Sequence, residues 1–362
     1  DAFKKVLMED ENNIDALRFM GILAFKSGNH DIAEAVLTKA LKLDPTYSLV
    51  WANLAQVFSV TGQLEKAMKS FKNILNMDPK NGLIWAEYGT VLTKLANYRE
   101  GRDAYLKALE FKPDSPRVHL SLGHVYKTMG EINASINSYK NTIIQNNLSG
   151  EAYWSLANLK TYSFSENEIK DMEESLKGDM SDIERSQMHF ALGKAYEVKK
   201  DFDRSFRNYY EGNKVKKGLI KYSSDDTSYN TKRILDFFSK ENINNLSKSS
   251  TNNPDPIFVL GMPRSGSTLV DQIISSHSKV DGTQELPNII KIAAELNNDK
   301  QNSYPEVLKE LDDLKISKLG KDYISETTWA RDKAPFFIDK MPNNFIHIGS
   351  VSYTHLRAHE TC

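Results

Sequence analysis

A spacing of 34 residues governs the first part of this 362-residue chain. Gly21, Ala55, Gly89 and Gly123 keep it, and so do Pro45, Pro79 and Pro113. Ala33, Ala67 and Gly101 fall in one register, Leu37, Phe71, Tyr105 and Tyr139 in another, and Trp51 and Trp85 in a third. A small residue where two helices touch, a large one beside it and a proline closing each unit describe a repeated helix pair. One pair cannot bury its own apolar face. Successive pairs must therefore stack, which predicts a superhelix with a concave groove.

The units are predicted to begin near Ile14, Ser48, Gly82 and Pro116. A fifth opens with Tyr153, Leu156 and Ala157 and loses the pattern between Thr161 and Glu174. The register returns at His189, Leu192, Gly193, Tyr196, Ser205 and Tyr209, which reads as a degenerate unit followed by a last good pair. Residues 1–12 read as the second helix of an earlier unit. The pattern resembles the tetratricopeptide repeat. It implies an α-solenoid over residues 1–220, with a groove suited to an extended peptide or protein segment. A spacer or a dimer surface is the plainer alternative.

From Ser223 to Asn253 the composition shifts to Ser, Asn, Asp and Lys. One helix is predicted there, Thr231–Lys240, with Ile234, Phe237 and Phe238 on its apolar side. Ser247–Pro254 reads as a turn, so residues 221–253 are expected to be a linker carrying one helix.

The apolar run Ile257–Leu260 reads as a buried strand that breaks at Gly261 and re-enters periodic sequence at Ser267. Strand, glycine loop and helix are the parts of a phosphate cradle. Gly261 and Gly266 have Walker-loop spacing, but Ser267 stands where the lysine would be, and Arg264 is the only cation in the loop. A cradle without that lysine points away from an NTPase and toward a nucleotide carrying another group. Further on, Ser267–Ser276 is expected to be helical, with Leu269, Ile273 and Ile274 on the sheet. Val280-Asp-Gly is read as a short strand or turn, and Leu286–Leu296, Pro305–Leu314 and Gly320–Ala330 as helices. Phe336–Ile338 is read as a second buried strand. Strands alternating with helices predict a parallel sheet with its site at the strands' C-terminal ends.

Gly261-Met-Pro-Arg-Ser-Gly-Ser-Thr268, Gln284-Glu285-Leu286-Pro287 and Asp339-Lys340-Met341-Pro342-Asn343-Asn344 resemble a known family. They are similar to sulfotransferases that use 3′-phosphoadenosine 5′-phosphosulfate, most nearly the tyrosylprotein-sulfotransferase-like proteins, some of which carry tetratricopeptide repeats in front. The family loop usually reads Ser-Gly-Thr-Thr, and the Ser-Gly-Ser-Thr of this chain keeps the hydroxyl. The resemblance implies that Pro263, Arg264, Ser265, Gly266, Ser267 and Thr268 hold the 5′-phosphosulfate. Glu285 would be the general base and Lys340 would reach the leaving phosphate, with Arg264 neutralising charge on the transferring group. The plainer readings are a helix-capping turn at Arg264, a helix N-terminal carboxylate at Glu285 and a strand-end surface lysine at Lys340. Asn343 and Asn344 fit either acceptor positioning or a helix N-cap. His277 and His347 read as packed or exposed histidines.

Sulfuryl transfer bears less charge than phosphoryl transfer and requires no metal; none is expected. The family's 3′-phosphate motif, an Arg and a Ser, is expected beyond Ser350. Residues 254–350 thus read as an incomplete P-loop-type parallel-sheet sulfotransferase domain, and the fold class as an α-solenoid followed by α/β. Val351–Cys362 reads as a non-native tail, so His355, His359 and Cys362 are set aside as metal ligands. The expected activity is transfer of a sulfuryl group to a hydroxyl, with the repeats docking the acceptor; the resemblance favours peptidyl tyrosine. The alternatives are a repeat scaffold with an inactive P-loop domain and a P-loop kinase or NTPase.

Charge excludes other partners. Lys plus Arg is 47 against 48 Asp plus Glu, a net of −1, which is no nucleic-acid polycation. Cys362 is the only cysteine, and no apolar run approaches the roughly 20 residues of a membrane span. With no signal-peptide pattern visible, a cytoplasmic address is favoured.

Overall fold

A computed structural model describes residues 2–239, 255–262, 264–297, 304–347 and 349. Its contacts divide the chain into two units, one up to Lys221 and one from Tyr222 onward.

The first unit is built of antiparallel helix pairs. Helix α1 (Ala2–Glu9) precedes α2 (Ile14–Lys26) and α3 (His30–Leu43), α4 (Ser48–Val60) and α5 (Leu64–Met77), α6 (Gly82–Lys94) and α7 (Tyr98–Phe111), and α8 (Pro116–Thr128) and α9 (Ile132–Gln145). The first helix of each pair starts on the residue that the 34-residue spacing marks. Close packing explains the small residues. A Cβ on Gly123 would lie 2.4 Å from the Tyr139 ring, and one on Gly89 would lie 2.9 Å from Tyr105. Ala33, Leu37, Ala67, Phe71, Tyr105 and Tyr139 are buried. Each such large side chain contributes roughly 1.5–3 kcal/mol. The tryptophan spacing is a hydrogen-bond spacing as well: Trp51 Nε1 donates to Pro45 O and Trp85 Nε1 to Pro79 O, both at 2.8 Å.

The degenerate fifth unit has short helices, α10 (Gly150–Ala157) and α11 (Glu166–Ser175). Ser165 opens α11 with a reciprocal cap to Glu168. The last pair, α12 (Asp182–Val198) and α13 (Phe202–Leu219), returns to register. Ser205 Oγ donates to Gly193 O at 2.8 Å, repeating the Ser135 bond to Gly123 O two units earlier.

The second unit opens with α14 (Ser224–Phe237), where the sequence pattern predicts a linker helix over Thr231–Lys240. Ser223 caps it through Asp226 N, so it starts earlier. It packs into the unit: Phe237 is buried with Ala293, Tyr304, Val307, Leu308 and Ile316, and Arg233 pairs with Glu306. The Ser247–Pro254 turn and the Val351–Cys362 tail lie outside the described residues.

Strands β1 (Asp255–Phe258), β2 (Val280–Asp281) and β3 (Phe336–Asp339) form a parallel sheet ordered β1-β3-β2. Helix α15 (Ser267–Ser275) follows β1, α16 (Asn288–Leu296) follows β2, and α17 (Asp313–Glu326) precedes β3. Leu286, Ile289, Tyr323, Ile324 and Phe337 make the core beside the sheet.

Three expectations are corrected. Leu269 and Ile273 are not packed against the sheet; they are 63% and 61% exposed. Only three strands are described, and Ile273 and Ile274 of α15 line an open apolar cleft together with Ile257, Val280 and Phe336 of the sheet. Pro305–Leu314 is no α-helix but a 3₁₀ turn over Glu306–Glu310. The next helix begins at Asp313, not Gly320, because the Asp312 side chain accepts from Lys315 N at 2.8 Å and caps it there.

Candidate active site

All three strands run the same way, so their C-terminal ends share one edge of the sheet, and each delivers a piece of the site. From β1 comes the loop Gly261–Gly266. Ser265 N bonds back to Met262 O at 3.1 Å, and Gly266 caps α15 at φ +89°. Nothing lies within 4 Å of a Cβ built on Gly266, so the backbone angle alone calls for glycine there. Gly261 has φ +158°, and a Cβ there would also meet Ser265 Oγ at 2.7 Å. Arg264 also sits at positive φ, +69°. A non-glycine residue held there stores of order 1 kcal/mol, as loops that grip ligands often do.

The loop is open to solvent. Arg264, Ser265 and Thr268 are exposed, and Ser267 is partly so. In the first turn of α15, Leu269 N and Val270 N bond to Gly266 O at 2.9 and 3.1 Å. The Ser267 and Thr268 amides precede any intrahelical acceptor, and a helix N-terminus favours negative charge. Among the described residues, Arg264 forms no ion pair. Pro263 lies outside the described residues.

From β2 comes Glu285 and from β3 comes Lys340. Their side chains meet, Nζ to Oε1 at 2.8 Å. The lysine is 13% exposed and the glutamate 53%, so the ammonium is held mostly inside while the carboxylate faces solvent. Thr283 Oγ1 donates to Ile338 O, which ties the extension carrying Glu285 to β3. Val259 N donates to Asp339 O at 3.0 Å, which ties the start of the loop to the same place. Glu285 and Lys340 are thus brought together, and the loop springs from the neighbouring strand end.

Residue Asp339, quoted in the motif but given no role from sequence, is fully buried. Tyr323 Oη donates to its Oδ2 at 2.7 Å and Asn344 Nδ2 to its Oδ1 at 3.2 Å. Burial pushes the Asp339 carboxyl up to about 6, and the Tyr323 bond opposes that rise. Asn344 is itself fully buried on Asp339, so it does not meet an acceptor. His347 is buried against the Tyr304 hydroxyl at 3.0 Å, and burial lowers its pKa. His277 is exposed. The sequence signal for Asp339 was present: a carboxylate closing an apolar strand just before a motif lysine.

A stacked helical-repeat unit and a parallel α/β unit with loops gathered at one sheet edge define the class of molecule. Comparison with known proteins gives the families. Residues 256–356 match the model of the sulfotransferase family, and residues 24–86 and 89–130 match tetratricopeptide-repeat models. The chain carries tetratricopeptide repeats and, after them, a sulfotransferase-family domain. It is 31% identical over 173 residues to an uncharacterized protein of Aquifex aeolicus (strain VF5). That match covers 46% of this chain and 23% of that protein's length. Among solved structures, pilF of Pseudomonas aeruginosa is similar at 22% identity and a TM-score of 0.45, over 62% of this chain and 98% of that one. YrrB, described as a TPR protein with an unusual peptide-binding site, is similar at 17% identity and a TM-score of 0.41, over 57% and 97%. No described helix is long and apolar enough to cross a membrane, and no described cluster of His, Cys, Asp and Glu could hold a metal ion.

Proposed function

We propose that the second unit moves a sulfuryl group from 3′-phosphoadenosine 5′-phosphosulfate to a hydroxyl, and that the repeat groove docks the acceptor, a peptide or protein presenting tyrosine. The observation that carries the reading is the Glu285–Lys340 pair at the strand ends, next to an open loop whose cation and hydroxyls await an anion. The co-substrate supplies the sulfuryl group and a phosphate as leaving group.

The residues present fit such a group. Arg264, the Ser267 and Thr268 hydroxyls and the first-turn amides bind a doubly anionic end with backbone and side chain together. Glu285, an exposed carboxylate, takes the acceptor's hydroxyl proton onto one of its oxygens as the acceptor attacks. Lys340 stabilises negative charge that grows on the leaving side. The 2.8 Å ion pair pre-orients both before substrate arrives, so less reorganisation is left for the reaction. Neither role needs a metal.

The full chain encoded by the gene should transfer labelled sulfate from the nucleotide to a tyrosine-containing peptide. Arg264→Ala or Glu285→Ala should lower transfer at least about 100-fold with the fold intact, as read by circular dichroism. Unchanged transfer in both variants would reject the site. Transfer to a sugar hydroxyl in preference to the peptide would keep the chemistry and replace the acceptor.

A further inference from the structure

Asp339 is a buried ionisable group that takes no part in that chemistry. It lies at the point where the three strands are tied together. Its carboxylate accepts from Tyr323 on α17 and from Asn344 in the turn after β3. Its main-chain oxygen accepts from Val259, at the end of β1. The preceding carbonyl, Ile338 O, accepts from Thr283 on the extension of β2. The following residue is Lys340.

We propose that Asp339 is a positioning residue: its ionised carboxylate, clamped by Tyr323 and Asn344, fixes the direction in which the chain leaves β3 and so holds the Lys340 ammonium at Glu285. Both clamping groups are donors, and a carboxylate accepts from each with a charged oxygen and no proton of its own in the way. Protonation puts an O–H on one of the two clamped oxygens, which makes that oxygen a poorer acceptor and weakens the contact there. Lys340 is a single rotatable chain away and feels the change. The buried carboxylate is otherwise disfavoured, since burial raises its pKa to about 6. A fold that keeps a charge it would be more stable without commonly does so for function.

The surroundings contain few other charges that could act instead. Tyr323 faces Asp339 from α17, and Arg331 acts on Tyr323 while its guanidinium lies 4.8 Å from the Phe337 ring centroid. Asn344 faces Asp339 from the 3₁₀ turn Pro342–His347. The β1 neighbours Ile257, Phe258 and Val259 are apolar. On β2, Asp281 is engaged by Ala334 N at 3.1 Å.

Asp339→Asn tests the idea without forcing misfolding. The amide oxygen can still accept from Tyr323, but the new amide NH2 group faces the Asn344 Nδ2 donor. Asn344 must turn its own amide over to offer Oδ1, which is buried and has no partner among the described residues, so the fold is kept while the contact that orients the chain is changed. The transfer readout rests on the sulfotransferase reading; a second readout does not. Lysines of the full chain are reductively dimethylated with carbon-13, the Lys340 signal is assigned by Lys340→Arg, and its shift is followed from pH 4 to 9. The unmodified protein should show an inflection near pH 6 that is absent in Asp339→Asn and moved to higher pH in Tyr323→Phe, which loses the bond that lowers the Asp339 pKa. Transfer by Asp339→Asn should fall about 100-fold in kcat with little change in KM, while its thermal midpoint at pH 8 does not fall. The inflection persisting in Asp339→Asn would overturn the proposal, as would transfer and thermal midpoint falling together, the mark of a merely structural role. If the unmodified protein transfers no sulfate, the functional reading fails, and the lysine titration alone decides for or against Asp339.

Discussion

Two glycines, one in each unit, are there for opposite reasons. In the repeats, Gly123 has a neighbour where a side chain would be: the Tyr139 ring lies 2.4 Å from the place a Cβ would take. In the second unit, Gly266 has no neighbour within 4 Å and is needed for its backbone angle of +89°. The first glycine serves packing, and its loss should be read as stability. The second serves the shape of a loop, and its loss should be read as binding. The same contrast runs through the larger side chains. Array aromatics such as Tyr105 and Tyr139 are buried, while the apolar face of α15 beside the loop stands in solvent. One unit is organised around its core, the other around an edge where three strand ends meet.

The largest expected effect belongs to the edge. Glu285→Ala should lower sulfuryl transfer about 10²- to 10⁴-fold, the range for a positioned general base, with thermal unfolding unchanged. The residue is half exposed, and its ion-pair partner is Lys340. A variant that lost stability without losing transfer would dissolve the division between core and edge.

Next is Asp339, where stability and site are set against each other. Its ordinary pKa of 3.8 rises to about 6 in the fold. The fold therefore disfavours the ionised form. The associated stability is fully present below pH 3.8 and is lost as pH rises through about 6, and the step corresponds to about 3 kcal/mol. Asp339→Asn should flatten that limb of the stability–pH curve measured by denaturant unfolding. An unchanged limb would show that another group carries it. His347, with its lowered pKa, acts with the opposite sign: its contribution is lost as pH falls below the usual histidine value.

How legible each region was in the sequence follows from the same contrast. The array was readable because burial there is periodic. One register of small residues and one of large ones fixed where α2, α4, α6 and α8 begin, and Trp51 and Trp85 kept their prolines. In the second unit the motif residues Glu285 and Lys340 were legible as residue types, and their contact is a product of the parallel sheet that sets their strand ends side by side. The Asp339 clamp was not legible. Tyr323 reaches it from a helix whose start depends on one capping side chain, Asp312, and the apolar spacing around Pro305 gave no sign of a 3₁₀ turn. Nor was the exposure of Leu269 and Ile273, since an apolar helix face announces that it needs a partner and not whether a sheet reaches it.

Gly123→Ala carries the comparison into the array. The Tyr139 ring is fully buried and its hydroxyl is fixed to His124 Nδ1 at 2.9 Å, so it cannot swing aside. Overpacking of this kind costs about 1–3 kcal/mol, and alanine's better helix propensity returns up to about 1 kcal/mol. A net loss of about 1–2 kcal/mol is expected in the unfolding of the array, with transfer by the second unit untouched. A neutral result would mean that α8 and α9 can slide apart, and the packing account of the 34-residue spacing would fail with it.

The smallest effect on stability should come from Gly266→Ala, and it sharpens the contrast most. With nothing near the added methyl, the penalty is the left-handed backbone alone, about 1 kcal/mol. That strain falls on the residue that caps α15 and sets the amides of Ser267 and Thr268. The loop can relieve it only by turning those amides, so the variant should weaken binding of 3′-phosphoadenosine 5′-phosphate, measured by calorimetry, more than it lowers the unfolding midpoint. Equal losses in both would make Gly266 a packing glycine like Gly123. A loss of binding with the midpoint unmoved would establish that the loop's conformation, and not the bulk of its side chains, makes the anion site.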